Sequence, residues 1–200
     1  MYVESIAPEE IEKMPRAVFP GEICVIDSLG KEFDAACRYL SSKKVIGFDT
    51  ESRPCFSPGQ QPYGVSLLQL SGEKRAFLFR LKKIGLPKKL CSILADPDVK
   101  KVGAAVADDF RGLQKIARFE PGGVVDLQKI VGDYGIRDKS VKKMAAIILG
   151  VKVSKTQQLS NWEAKSLSDS QRQYAATDAW ICREMYLTLN SNSKQIVDNE

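Results

Sequence analysis

The sequence of 200 residues contains no histidine. Histidine is the usual general base near neutral pH and a common zinc ligand, so serine–histidine triads and histidine-bound zinc sites are excluded. The five cysteines are scattered without a Cys-x-x-Cys pair, which indicates neither a zinc site nor a disulfide framework. Any catalysis therefore has to use carboxylates, tyrosine, lysine or cysteine, and we expect a metal ion to assist it.

Long hydrophobic runs are also missing, since no apolar stretch approaches the ~18 residues of a membrane span. Residues 1–20 carry several acids and lack the apolar core of a signal peptide. We therefore expect a cytoplasmic protein that has no membrane partner. The chain is 44% hydrophobic and no repeat or linker interrupts it, so we predict a single domain of residues 1–200.

The stretch Val45–Glu51 has apolar residues around one glycine and ends in two carboxylates. Such a short apolar run predicts a buried strand. Because side chains alternate between the two faces of a strand, Asp49 and Glu51 point to the same side. Carboxylates this close repel each other, and a hard divalent cation between them removes the repulsion. A strand that simply ends in a polar loop is the alternative interpretation.

Two further acidic features follow along the chain. Asp109 comes at a predicted strand-to-helix turn after the apolar run 99–106. Tyr174 and Asp178 are four residues apart in a predicted helix and therefore share one of its faces. Carboxylates that converge in this way require cations, and two divalent ions would make them a phosphoryl-transfer site. A tyrosine–aspartate pair on a helix surface is the alternative.

The remaining periodicity predicts an α/β fold with a mixed β-sheet. Strands are predicted at residues 23–26, 45–51, 65–70, 75–80, 99–106 and 124–125, and helices at 33–40, 87–94, 110–117, 127–131, 141–149 and 168–189. Residues 52–63 hold three prolines and a glycine, which predicts a loop, and residues 1–30 look like a leader. Ser168 and Gln171 form a predicted capping box at the start of the last helix.

Positive charge is concentrated in one part of the chain. The net charge is +5, and between Arg137 and Lys165 seven basic residues stand against two acidic ones, a local surplus that is also +5. A basic tract beside acidic candidate ligands indicates a polyanionic substrate. A solvated, lysine-rich surface is the alternative.

Three motifs in this order resemble those of a known family. They are Phe48-Asp49-Thr50-Glu51, Val102-Gly103 with Asp109 six residues after the glycine, and Tyr174-Ala175-Ala176-Thr177-Asp178, preceded by Ser160-Asn161-Trp162. They resemble the exonuclease motifs of the DEDD 3′–5′ exonucleases, a DnaQ-like family, in the subgroup with tyrosine in motif three (DEDDy). Ribonuclease D and the Werner syndrome helicase exonuclease domain are the most similar members. The resemblance implies a ribonuclease H-like mixed β-sheet flanked by α-helices, with a motif-bearing core of about residues 22–190.

The resemblance also implies an activity and a set of ligands. The implied activity is metal-dependent 3′–5′ exonuclease hydrolysis of DNA or RNA phosphodiester bonds, with release of nucleoside 5′-monophosphates. Two Mg²⁺ or Mn²⁺ ions would be held by Asp49, Glu51, Asp109 and Asp178, and Tyr174 would orient or deprotonate the attacking water. A catalytically silent nucleic-acid-binding module on the same fold is the alternative function.

Five residues are candidates for substrate binding. The Thr50 main chain would contact the terminal sugar, and Arg111 stands where relatives place a residue against the terminal nucleotide. Lys155 and Gln158 are candidates for phosphate contacts, and Trp162 for stacking on a base. An ordinary core tryptophan is the alternative for Trp162.

The second motif departs from the family pattern at one position. Many members carry asparagine four residues before the motif-two aspartate, where this chain has Ala105. Werner-type members also tolerate a small residue there, so we do not interpret Ala105 as inactivating. Asp108 is a rival for the motif-two role, and Asp109 is preferred because its spacing to Gly103 and Leu113 matches the family.

Overall fold

The structure is a computed structural model that describes residues 2–56, 59 and 63–197. Its strands are β1 (Glu22–Ile26), β2 (Val45–Ser52), β3 (Val65–Ser71), β4 (Arg75–Arg80), β5 (Lys100–Gly103) and β6 (Val124–Asp126). Its α-helices are α1 (Pro8–Glu12), α2 (Lys31–Ser41), α3 (Leu81–Ile84), α4 (Lys88–Ala95), α5 (Ala107–Gln114), α6 (Leu127–Ile130), α7 (Val141–Leu149) and α8 (Asp169–Val197), and a 3-10 turn covers Val131–Tyr134. Among the described helices, none combines the length and apolar character needed to cross a membrane.

The strands form one mixed sheet in the order β1-β4-β3-β2-β5-β6. Strands β2, β3 and β4 pair antiparallel, while β1 lies parallel to β4 and β5 and β6 continue parallel from β2. Apolar side chains of α2, α4 and α5 cover one face, and those of α7 and α8 cover the other. The predicted mixed sheet flanked by helices is therefore confirmed.

Several predicted boundaries differ from the structure. Strand β5 ends at Gly103 rather than at residue 106 because the chain turns at Ala105, whose φ of 58° is left-handed. The last helix continues past residue 189 to Val197, and residues 8–12 of the predicted leader form helix α1. The predicted loop loses Ser52 to β2, and its residues 57, 58 and 60–62 lie outside the described residues.

Helix α8 begins with the predicted capping box. The Gln171 side chain accepts from the Ser168 main-chain N–H at 3.0 Å, and the Gln171 N–H donates to the Ser168 hydroxyl at 3.2 Å. This reciprocal pair satisfies two N–H groups that the first helical turn would leave without partners. The start of the helix that carries Tyr174 and Asp178 is therefore determined by local sequence.

Gly47 allows the main chain of α8 to lie directly against β2. A Cβ atom added to Gly47 would lie 1.8 Å from the carbonyl oxygen of Ala179, so no larger residue fits at this point. Residues 47, 49 and 51 share one face of β2 because strand side chains alternate. The close approach at Gly47 therefore brings α8 beside the face that carries Asp49 and Glu51.

We expect Gly47→Ala to lower the free energy of unfolding by about 1–3 kcal/mol or more, because the added methyl group overlaps the α8 main chain. Gly132→Ala is the matched control, since a Cβ there meets no atom within 4 Å. The control should be neutral or stabilising by up to about 1 kcal/mol. Urea unfolding measures both, and equal stability of the two variants would contradict the packing argument.

Candidate active site

Three carboxylates from two elements meet at one end of the sheet. Asp49 and Glu51 come from β2 and Asp178 from α8, and each offers an oxygen within 4.8 Å of the others. All three side chains are partly buried. An oxygen-only ligand set of this kind suits a hard divalent cation.

Asp109 approaches the site from the opposite face of β2. It lies in the first turn of α5, and its carboxylate accepts a hydrogen bond from the Thr50 hydroxyl. Asp109 is not one of the three clustered residues, although its charge contributes to raising the pKa of Asp49. Asp108, the rival for its role, has an 86% exposed side chain that pairs with Arg111. The position next to the cluster is therefore occupied by Asp109, as the sequence predicts.

The metal-free site disfavours negative charge. Burial and the neighbouring charges of Asp178 and Asp109 raise the pKa of Glu51 to about 8. Burial raises the pKa of Asp178 to about 7, opposed by hydrogen bonding with Tyr174 and the positive charge of Lys155. The pKa of Asp49 is raised well above its usual value, chiefly by burial and then by Asp178. Carboxylates that resist ionisation together are those that a divalent cation stabilises most, so the residues present fit a metal.

Tyr174 stands beside the carboxylates as a neutral phenol. Its side chain is 9% exposed, and its ring lies 6.0 Å from that of Trp162. Burial and then the charges of Asp178 and Glu51 raise its pKa far above the usual value. A phenol in this setting can orient a water molecule by hydrogen bonding, but the metal-free site does not favour the phenolate that a base requires.

A cavity of about 370 Å³ opens over the carboxylates. Asp49, Glu51, Tyr174 and Asp178 line it on one side, together with Thr50, and the polar residues Gln128, Lys142, Ser154, Lys155 and Gln158 also line it. The candidates Thr50, Lys155 and Gln158 are thus brought to the site. Lys142 and Gln128 were not among the candidates, and membership in the basic tract was the only signal for Lys142.

Two of the substrate-binding candidates, Trp162 and Arg111, do not line the cavity. Trp162 is 0% exposed and packs in a core cluster with Leu67, Leu78 and Tyr174. The prediction that Trp162 stacks on a base is contradicted, because a fully buried ring has no face open to a nucleotide. Trp162 is instead a core residue, which was the alternative interpretation from the sequence. Arg111 does not line the cavity, and its 66% exposed side chain pairs with Asp108.

The basic tract is partly neutralised by acids of residues 1–30, which we call the N-terminal segment. The ion pairs are Arg137–Glu4, Lys142–Glu12 and Lys152–Glu12, and Lys143 pairs with Asp138 inside the tract. Four of its seven basic residues therefore have acidic partners. Part of the positive charge of the tract is therefore neutralised within the fold, while Lys142 and Lys155 of the tract line the cavity.

A family model for 3′–5′ exonucleases matches residues 28–194. The chain belongs to the 3′–5′ exonuclease family. Exonucleases of this family use divalent metal ions, and the clustered carboxylates supply oxygen ligands for them. The membership of the 3′–5′ exonuclease family that the three motifs implied is confirmed, and metal binding and nucleic-acid binding are properties of that family.

Individual relatives agree with this membership, and a solved structure shares the fold. Exonuclease 3′–5′ domain-containing protein 2 of Drosophila melanogaster is 33% identical over 150 residues, which cover 73% of this chain and 25% of that protein. The bifunctional 3′–5′ exonuclease/ATP-dependent helicase WRN of Mus musculus is 27% identical over 190 residues, or 90% of this chain and 13% of that protein. The solved Trypanosoma brucei ribonuclease D in complex with RNA U12 has a TM-score of 0.73 at 21% identity, over 86% of this chain and 63% of that one. The chain thus spans a quarter or less of these two curated relatives.

We expect the metal-free protein to lose stability as the pH rises. The pKa of Glu51 goes from 4.5 in the unfolded chain to about 8 in the folded one, so the folded protein binds more protons between these values. The free energy of unfolding should therefore fall with pH by up to ~1.4 kcal/mol per pH unit for each extra proton bound. Thermal unfolding in EDTA from pH 5 to 8 measures this, and Mn²⁺ should restore the lost stability at high pH.

Asp178→Asn should flatten this pH dependence in EDTA and reduce the stabilisation by Mn²⁺, because it removes one of the clustered charges. Asp133→Asn is the control, since Asp133 is exposed and lies outside the cluster. Parallel pH profiles for the wild type and both variants would contradict the proposed origin of the effect.

Proposed function

We propose that residues 1–200 act as one 3′–5′ exonuclease domain of the DEDDy subgroup. It would hydrolyse phosphodiester bonds from the 3′ end of DNA or RNA and release nucleoside 5′-monophosphates. The observation that carries the proposal is the convergence of Asp49, Glu51 and Asp178 beside Tyr174 in a chain of this family. A silent binding module is disfavoured, because clustered acids that face phosphate would weaken binding unless cations neutralise them.

Two Mg²⁺ or Mn²⁺ ions are the proposed cofactors, because every ligand is a carboxylate oxygen. Asp49, Glu51 and Asp178 would hold the first ion, and Asp49 and Asp109 would hold the second. When bound, such ions generate a nucleophile at neutral pH and neutralise charge that develops on the phosphate. The raised pKa values of Asp49, Glu51 and Asp178 support this assignment. A carboxylate that is unfavourable to ionise is one whose ionised form a nearby cation stabilises strongly.

The proposed task of Tyr174 is to orient the attacking water. As a neutral phenol it can donate one hydrogen bond and accept another, which fixes a water molecule next to Asp178. The buried contact with Trp162 holds the Tyr174 ring in place. Trp162 is therefore proposed to pack against the ring of Tyr174 and hold it in place, and not to contact the substrate.

Lysine and amide side chains across the cavity are proposed to bind the phosphates of the strand. Lys155 is close enough to lower the pKa of Asp178. A phosphate bound between Lys155 and Asp178 would therefore be attracted by the positive charge of the lysine. Gln158 and Lys142 line the same cavity. The Thr50 hydroxyl donates to Asp109, and the main chain of Thr50 remains the proposed contact for the terminal sugar. Arg111, exposed in the last turn of α5, is proposed as a contact outside the cavity.

The nucleic acid itself is proposed only as a class. A structural relative was solved in complex with RNA U12, which supports RNA, and DNA is proposed from the resemblance of the three motifs. A cytoplasmic location remains part of the proposal.

The decisive test is a time course on 5′-labelled single-stranded RNA and DNA and on recessed duplex. With Mn²⁺ the wild type should produce a ladder that shortens from the 3′ end, and EDTA should abolish it. Asp49→Asn should lower the rate by more than ~100-fold, since losing even an outer-shell partner of a metal ligand costs up to about 100-fold. Tyr174→Phe should lower kcat by ~100-fold or more while retaining Mn²⁺ binding.

Asp133→Asn, exposed and outside the cluster, is the matched control and should match the wild type. Equal degradation by the wild type and Asp49→Asn would refute the assignment. Tight binding of oligonucleotide by the wild type without any shortening would instead support the silent module.

We expect Glu12→Gln to lower KM for single strands at low salt by a few-fold. Glu12 pairs with Lys142 and Lys152, and its neutralisation releases Lys142, which lines the cavity, whereas Lys152 keeps a 2.7 Å hydrogen bond to the Glu12 main-chain carbonyl. The slope of log KM against log salt should become steeper by up to ~0.7 for each lysine that gains a phosphate contact. Glu10→Gln changes the net charge equally but releases neither lysine, so it should leave KM near wild type. Identical kinetics for the two variants would show that Glu12 does not restrain these lysines.

A further inference from the structure

Gln69 is a fully buried polar residue that the site described so far does not use. It lies on β3 directly opposite Asp49 on β2, so the two side chains point to the same face of the sheet. Its exposure is 0%, and its neighbours along the strand, Leu68 and Leu70, are also 0% exposed. Burying an amide is unfavourable by ~1–3 kcal/mol unless it is hydrogen-bonded, so its partners indicate why a glutamine is present.

Both partners of the Gln69 amide belong to Asp49. With its nitrogen facing Asp49, the amide donates to the Asp49 main-chain oxygen at 3.2 Å and to Asp49 Oδ2 at 3.1 Å. The opposite orientation would place the amide oxygen against these same two oxygens. Because oxygens that face each other repel, the hydrogen-bond network selects the orientation in which the nitrogen donates.

This contact fixes the orientation of the Asp49 carboxylate relative to the sheet. One amide group bonds both the main chain and the side chain of Asp49, so the side-chain torsions of Asp49 are set relative to β2. Groups that hydrogen-bond a metal-binding side chain from behind fix its orientation and increase metal affinity.

We propose that Gln69 is a positioning residue, which holds the Asp49 carboxylate in the orientation that divalent cations require. Gln69 does not itself touch the cavity, since it is not among the residues that line it. It acts through Asp49, and the effect is preorganisation of a ligand. The inference rests on the proposed metal-dependent function of the same site.

The test replaces Gln69 by methionine, which keeps the length and volume of the side chain but has no donor. Leu70→Met is the matched control, because Leu70 is equally buried on the same strand and packs in the core of the opposite face. Mn²⁺ binding to the full chain is measured by electron paramagnetic resonance, independently of nuclease activity. We expect Gln69→Met to weaken Mn²⁺ binding by ~10–100-fold.

In the nuclease assay, kcat of Gln69→Met should fall while KM for the oligonucleotide stays within a factor of a few, since the phosphate contacts are intact. Leu70→Met should leave both Mn²⁺ affinity and kcat near wild type. Equal Mn²⁺ affinity in the two variants overturns the inference, because Gln69 would then serve only to fill the core.

Should Gln69→Met fail to fold by circular dichroism, Gln69→Asn replaces it, with the same expected loss and the same overturning result. That variant keeps the amide but withdraws it from Asp49 by one methylene group. A wild type that binds Mn²⁺ yet shortens no strand refutes the proposed function alone, and the Mn²⁺ comparison still decides the role of Gln69. A wild type that shortens strands while the two variants bind Mn²⁺ equally refutes this inference alone.

Discussion

The main-chain contact between α8 and Gly47 of β2 determines where the acids of this protein meet. With no side chain at residue 47, the helix lies so close to the strand that a Cβ would be 1.8 Å from the Ala179 carbonyl oxygen. Asp178 precedes Ala179 in sequence, and Asp49 follows Gly47 by two residues on the same face. The carboxylate cluster is therefore a geometric consequence of how closely the helix packs on the sheet.

That geometry makes the site unfavourable for the metal-free fold. Carboxylates whose pKa is raised by burial, and for Asp49 and Glu51 also by neighbouring carboxylates, oppose folding whenever they are ionised. The stability has to come from the cores on the two faces of the sheet, where β3 is buried along its whole length. Active sites often lower the stability of a fold, because the charges that catalysis needs lie where they repel one another or are buried. Lys155 offsets part of this loss of stability at Asp178, and in the proposed function Gln69 and the metal ions would offset more.

The N-terminal segment belongs to the same structure although most of it precedes the family match. The Phe19 N–H donates to the Thr177 hydroxyl at 3.0 Å, and the Gln173 side chain donates to the Phe19 carbonyl at 2.9 Å. These bonds attach the segment to the turns of α8 that carry Tyr174 and Asp178. Glu12 of the same segment pairs with Lys142 at the cavity. The segment thus contributes both to the position of α8 and to the charge around the site.

Local sequence was enough to predict the chemistry, and packing decided how it is supported. The alternation of a strand places Asp49 and Glu51 on one face, the helical period places Tyr174 beside Asp178, and a capping box starts α8, because these patterns act within a few residues. The burial of Trp162 and the pairing of lysines in the basic tract could not be predicted in this way, since a ring is buried or exposed, and a lysine paired or free, according to residues far away in the chain. Gln69 gave no local signal, because its role depends on the register between β2 and β3. Spacing along a chain reports which side chains point the same way, but only the tertiary structure shows what they meet.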